Sequence, residues 1–426
     1  MLIGHFNEQP WQDPRLDFSK GGTGITDLAI SNGAYDPAIG SKLYNRYIDE
    51  KLFAEEVGFE ALMLNEHHSL PGCMQGVTNV EACILARQTT KAKITILGNL
   101  IPLWDDPLWL AEQLAMIDMI SHGRLVSGWV RGGGRESITH NAVPAYNRER
   151  HQESHEFIIK TWTTPGPFRW EGKHYQYRYV NPWSMPFQKP HPPIWIPSTV
   201  SVDTVLWCAQ NHFPIVQLAT KLDATKEAFD LYHRSAAEFG GYKSGTQNVG
   251  YLFKVHLEET EEQAHEVGRK YIEGISNPFL AGNEGTVKPW LTVLPGMRPR
   301  NATQLGAAAF GPRGRQGARF RTYDDQLSDY TIISGTPKTV IPKIRHILEF
   351  LRPGTIFFWD GDGAMSHDDQ VRSLRLMGEE VIPAAKEMGK ELGLLSPYEV
   401  DDGTGYDQIA WARVKAQQAA QAGGGR

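Results

Sequence analysis

Short apolar runs alternate along the chain with longer stretches in which apolar positions recur every three or four residues. Runs of the first kind predict strands and stretches of the second predict amphipathic helices. Strands are predicted at LIGHF (2–6), ALMLN (61–65), KITILGN (93–99) and RLVSGWV (124–130), then at PPIWIPS, PIVQL, YLFKVHLEE and TIFFWDG. Helices are predicted at 42–58, closed by Gly58, at roughly 75–90, and from Pro107, a good first-turn residue, to about Ser121. Further helical periodicity covers about 147–162, 201–210, 222–239, 260–274, 339–351 and 367–392. Eight strands, each with a following helix, predict an α/β chain closed into a (β/α)8 TIM barrel rather than an open sheet.

Two segments exceed what a minimal barrel needs. Residues 7–37 form a polar loop after the first strand, and 276–330 form a Gly/Pro-rich insertion. The second carries Lys288, Arg298, Arg300, Arg313, Arg315, Arg319 and Arg321 between 288 and 321 with no acidic residue. Such a loop reads either as a cationic lid over 284–322 or as a solvated surface segment. The expected organisation is one barrel domain over 1–395 and an extension over 396–426, whose low-complexity end AQQAAQAGGGR reads as disordered.

Composition narrows the functional classes. The 426 residues are 41% hydrophobic with a net charge of −6, which lacks the basic bias of a nucleic-acid binder. No apolar run reaches the roughly 18 residues of a membrane span, and the N-terminus lacks the pattern of a secretory signal. Cys73, Cys83 and Cys208 form no CxxC pair, so neither a disulfide framework nor a zinc site is expected. A cytoplasmic protein is the expectation.

In a barrel the reactive face lies at the C-terminal ends of the strands. NEHH (65–68) leaves the second strand there, placing Glu66, His67 and His68 on the rim. Desolvating such groups is costly unless they have work to do. Alternation along the strand lets only one of Glu66 and His67 face the mouth; Glu66 could orient His67, and His68 reads as a supporting residue. GWVRGGG (128–134) offers the Arg131 donor fork and glycines that let backbone approach a phosphate, though the same residues also suit a plain turn. STVSVDT (198–204) leads into a helix whose N-terminus favours an anion. His151 and His155 stand four residues apart, but without the H-E-x-x-H order they read as a solvated helix face. DGDGAMSHDD (360–369) lacks the spacing of a calcium loop and reads as the loop after the eighth strand.

NEHH, PLWLAEQLAMIDMISHGRLVSGWVRGGG (107–134), FQKPHPPIWIPS (187–198) and ISGTPKTV (333–340) together resemble the flavin-dependent luciferase-like monooxygenases. The resemblance covers about 40–275 and 330–392, and the family fold is the same barrel. It implies that His67 lies beside the reactive part of the flavin, and that Ser201 and Thr204 match hydroxyl residues holding the flavin phosphate. Val200 stands where luciferase has a glutamate, and the turn carries one extra residue. Asn99 matches a small polar residue at the flavin pyrimidine edge, and Tyr146 an aromatic or polar flavin contact. The implied cofactor is FMN, bound as reduced FMNH2, with O2 as co-substrate, giving a C4a-(hydro)peroxide that hydroxylates a small organic substrate or attacks it in the Baeyer–Villiger manner. No nicotinamide-binding motif is present, so a separate NAD(P)H-dependent flavin reductase is the implied partner, and the relatives imply a homodimer. The rivals are a deazaflavin-dependent (F420) hydride-transfer enzyme and a non-catalytic flavin-binding protein of the same fold. No metal site is expected.

Overall fold

The computed structural model describes residues 1–13, 15, 31–132, 134–199, 201–273 and 322–400. The basic stretch of the expected lid, 284–321, and Val200 lie outside the described residues.

Parallel strands covered by helices are buried on both faces, which is why they read as near-continuous apolar runs. Strands β1 (Leu2–Phe6), β2 (Ala61–Leu64), β3 (Lys93–Asn99) and β4 (Leu125–Trp129) pair side by side. The antiparallel hairpin β5–β6 (Phe168–Glu171 and Gln176–Val180) stands apart from this sheet. The sheet continues with β7 (Ile194–Ser198), β8 (Ile215–Leu218) and β9 (Val249–Leu257). A short β10 (Ile332–Gly335) pairs with Lys254–Leu257 of β9, and β11 (Thr355–Trp359) lies between β9 and β1. The β8–β9 pairing completes a ring of eight parallel strands, so the predicted TIM barrel is found.

Alternation along each strand separates two cores. Phe6, Met63, Leu97, Val126, Trp195, Leu252 and Phe357 pack inside the barrel. Ile3, Leu62, Ile94, Ile196 and Ile356 face outward and pack beneath the helices. Inner packing is tight at Gly128, where a Cβ would sit 2.3 Å from the Ile96 carbonyl and 2.5 Å from a Leu97 methyl. At the floor, Tyr398 rests 6.2 Å from Trp195 with Lys93 over its ring, while Glu399 pairs with the N-terminal ammonium.

Helix α1 (Pro37–Glu56) begins five residues before the predicted 42, because Asp36 caps it by accepting from the Ala38 N–H and Pro37 opens its first turn. Helices α2 (Thr78–Gln88) and α3 (Pro107–Ile120) follow β2 and β3. A one-and-a-half-turn helix, α4 (Gly134–Thr139), follows β4 and precedes α5 (Asn147–Thr163). The later helices include α6 (Val202–Asn211), α7 (Leu222–Ser235) and α8 (Glu261–Glu273). The predicted helix at 367–392 is found as His367–Leu376 and Ile382–Glu391, joined through a wider turn at Met377–Val381. Among the described residues no helix is long and apolar enough to cross a membrane.

Candidate active site

The exit of β2 builds a connected polar network. β2 ends at Leu64, and beyond it Asn65 and Glu66 are both buried. His67 is 32% exposed, and its Nδ1 lies 2.9 Å from Oε1 of Glu136, whose side chain is 5% exposed. The second Glu136 oxygen accepts the His68 backbone N–H at 3.1 Å. Glu136 comes from α4, so the exits of β2 and β4 are tied by one carboxylate held from two sides. Burial opposes its charge, but the His67 hydrogen bond, the charges of both histidines and the His68 amide hold the carboxyl below its usual range.

The expectation that Glu66 could orient His67 is corrected here. Glu66 Oε1 lies 3.0 Å from His68 Nε2, and its Oε2 accepts from Asn99 Nδ2 at 2.9 Å. Asn99 also donates to Asn79 at 3.0 Å, and Asn79 donates to Gln113 at 3.0 Å. His68 bridges two glutamates, Glu66 through its ring and Glu136 through its backbone N–H. Asn99 is fully buried, and its Oδ1 accepts no hydrogen bond from the described residues.

The other end of the α4 loop builds an anion site. Arg131 follows β4, and Gly132 turns the chain with φ 74°, a conformation that costs glycine little. Alternation puts Trp129 and Arg131 on the outer side of the rim, as it does Ile196 and Ser198 on β7. All four line a cavity of about 910 Å³ that runs between α5, α6 and the β5–β6 hairpin. Ser201 caps α6 by position, yet its side chain makes no capping bond; it lines the cavity with Thr199 and Thr204. The first-turn amides of α6 have no acceptors within the helix, and its first-turn residues Asp203 and Thr204 line this space. Ser198 Oγ is buried without a hydrogen-bond partner, and Arg131 has no ion pair among the described residues. Arg148, on α5, is instead paired with Asp203 at 2.5 Å. An unspent guanidinium, an orphaned hydroxyl and a free helix N-terminus fit the phosphate of a flavin nucleotide.

His151 also faces this cavity, which corrects the reading of a solvated histidine face. His151 and His155 lie 5.4 and 5.3 Å from the Trp207 ring. Burial, then the Arg131 and Arg148 cations, push the His151 imidazole down to about 3, so it is neutral.

The structure thus brings Arg131, Ser201 and Thr204 together at one end, and His67 to Glu136 at the other. Asn99 joins the His67 end only through Glu66 and His68. Tyr146 stands at the outer rim, half exposed, with its ring 5.8 Å from His174, and does not line the cavity. Sequence reasoning missed Glu136, Ser198 and the hairpin wall.

The sequence profile of the luciferase-like monooxygenases matches residues 35–351. The chain is 28% identical over 159 residues to the flavin-dependent trigonelline monooxygenase, oxygenase component, of Acinetobacter baylyi, covering 36% of this chain and 43% of that protein. It is 23% identical over 380 residues to the FMNH(2)-dependent dimethylsulfone monooxygenase of Pseudomonas putida, covering 82% and 89% of the two chains. The chain spans about half the length of several curated relatives it matches. Among solved structures, the oxygenating constituent of 3,6-diketocamphane monooxygenase from Pseudomonas putida, in complex with FMN, superposes with a TM-score of 0.66 at 20% identity, covering 90% and 98% of the chains. The match across most of the chain makes this protein a member of the luciferase-like monooxygenase family.

Proposed function

We propose that the protein is the oxygenase half of a two-component system that takes reduced FMN from a separate NAD(P)H-dependent reductase and oxygenates a small organic substrate. The observation that carries this reading is the α4 loop, which holds a phosphate-type site at Arg131 and a histidine–carboxylate pair at Glu136 on the same rim. Bound reduced flavin supplies the electrons that activate O2. The chain supplies the rest. Arg131, Ser198, Ser201 and Thr204 would hold the phosphate, with donors that suit its charge. Glu136 accepts from His67 Nδ1–H, which fixes the tautomer with Nε2 toward the mouth, where it can take or give a proton. The apolar inner wall of Phe6, Leu218 and Trp359 keeps water from the reacting atoms.

Hydroxylation and Baeyer–Villiger attack place the same demands on these residues, and product analysis separates them. The test is anaerobic titration with reduced FMN followed by addition of oxygen and candidate substrates. Reoxidation of protein-bound flavin with one oxygen atom recovered in product supports the reading. A protein that ignores FMN but reduces or oxidises a deazaflavin without consuming oxygen would be the hydride-transfer enzyme instead.

We also propose that the working form is a homodimer. Trp109 and Met116 on α3 are 64% and 51% exposed and stand two turns apart on one face, beside Val80 of α2. A contiguous apolar patch of this kind marks an interface.

A further inference from the structure

One row of side chains crosses three neighbouring strands at the top of the barrel interior. Phe6 on β1 is level with Trp359 on β11, and Trp359 is level with Lys254 on β9. Alternation from Leu2, Phe357 and Leu252, which pack inside the barrel, turns all three inward. Phe6 and Trp359 are the last residues of their strands, so the row forms part of the floor of the mouth. Phe6 is buried, while Trp359 and Lys254 are partly exposed.

The indole in this row is held from several sides. Its ring stands 5.2 Å from that of Phe6, and its Nε1 donates to Oδ2 of the buried Asp362. Asp362 Oδ1 accepts the Glu8 amide at 2.7 Å. The Lys254 ammonium lies 4.6 Å from the indole centroid. An ammonium on the inner wall of a barrel is costly to desolvate. Charge balance with Asp362 does not account for it. Burial, then the Glu8 carboxylate, push the Asp362 carboxyl up to about 8, so it is largely neutral at pH 7. Glu8 itself leaves β1, two strands and roughly 10 Å along the wall from β9, and accepts from Asn65 Nδ2 at 2.7 Å.

The row also stands across the barrel from the residues assigned to the flavin. In the ring of eight strands, β9 is four places from β3, which ends in Asn99, and β11 is four places from β4, which leads to Arg131. A flavin anchored on the Arg131 side leaves the opposite wall to the substrate. We infer that Lys254 is a substrate-binding residue and that the substrate is a small organic anion. Its carboxylate or sulfonate would meet the Lys254 ammonium, with its apolar body against Trp359 and Leu218. This inference rests on the oxygenase reading above and names its substrate class.

The test uses the full chain loaded with FMN and titrated by calorimetry with benzoate, benzenesulfonate and benzamide, the last a neutral counterpart of the first. At least one acid should bind about tenfold or more tighter than benzamide, as one hydrogen bond to a charged group provides. Lys254→Met, which keeps the stem on the indole, should remove that preference while FMN affinity changes less than about twofold. Lys254→Arg should keep the preference. A purely structural lysine would lower the melting temperature in the variants without changing the ratio of acid to amide affinity. Benzamide binding as tightly as both acids, acids that do not bind, or a preference that survives in Lys254→Met would overturn the inference and leave the oxygenase reading standing. A chain that does not bind FMN would bring down that reading and this inference with it.

Discussion

Glu136 decides what His67 can do. Its carboxylate lies 2.9 Å from His67 Nδ1 and also accepts the His68 amide, so it holds the imidazole from one side. His67→Ala should therefore keep flavin binding and lower product formation by ~10²-fold, the lower end for loss of an acid–base group. Unchanged coupled turnover would remove His67 from the chemistry. Glu136→Gln, which keeps shape but loses charge, should cost roughly 10-fold in turnover and shift the pH profile, with flavin affinity unmoved. At the other end of the loop, Arg131→Ala should weaken FMN by roughly 1.5–3 kcal/mol, the range for a hydrogen bond to a charged group. Riboflavin, which lacks the phosphate, is the control, and an equal loss there would place Arg131 elsewhere. His67 was legible in the sequence because an exit from an apolar strand is a local signal. Glu136 was not, because the two residues meet only when β2 and β4 take their places in the ring.

At the scale of elements, legibility followed burial. The barrel strands are apolar on both faces and showed themselves as runs. The hairpin was missed because FRWE and QYRYV interleave exposed polar and aromatic residues and resemble loop. β10 was not among the predicted strands, being four residues long and ending at Gly335 before Pro337. One charged cluster joins β9, β11 and the helix His367–Leu376, and none of it was visible in sequence. His256 is buried with Nδ1 3.0 Å from Asp360 and Nε2 3.4 Å from Glu258, which also takes Arg372 at 3.0 and 3.1 Å. Burial alone would lower the imidazole, yet the Asp360 and Glu258 carboxylates push it up to about 9. The folded value lies above the unfolded one, near 6.5, so the folded state binds the extra proton. Its stabilisation is complete below pH 6.5 and is lost as pH rises through about 9. Chemical denaturation between pH 6 and 10 should show the midpoint falling over that window. His256→Gln should lower stability at neutral pH and flatten the fall; a wild-type midpoint that rises there would contradict the ionised network.

At the scale of the molecule, the apolar face of α3 remains to be covered. The outer helices of a barrel hide their apolar stripe against the strands, and α3 does so through Leu110, Leu114 and Ile117. Trp109 and Met116 lie outside that stripe, with Met119 48% exposed close by. Asn79 on α2 is bonded to Gln113 on α3, so the two helices present their outer residues as one surface. A twofold pairing of that surface would be isologous, each Trp109 meeting the same patch on the partner. Buried tryptophan carries a large share of an interface's energy, and a charge placed there would be desolvated without a partner. Trp109→Glu combined with Met116→Lys should therefore give a folded monomer by sedimentation, with wild type a dimer at micromolar concentration. Because the patch lies on helices following β2 and β3, away from the Arg131 cavity, the monomer should bind flavin with unchanged affinity. A wild-type chain that sediments as a monomer at every concentration would leave this face as exposed surface with no partner of its own kind.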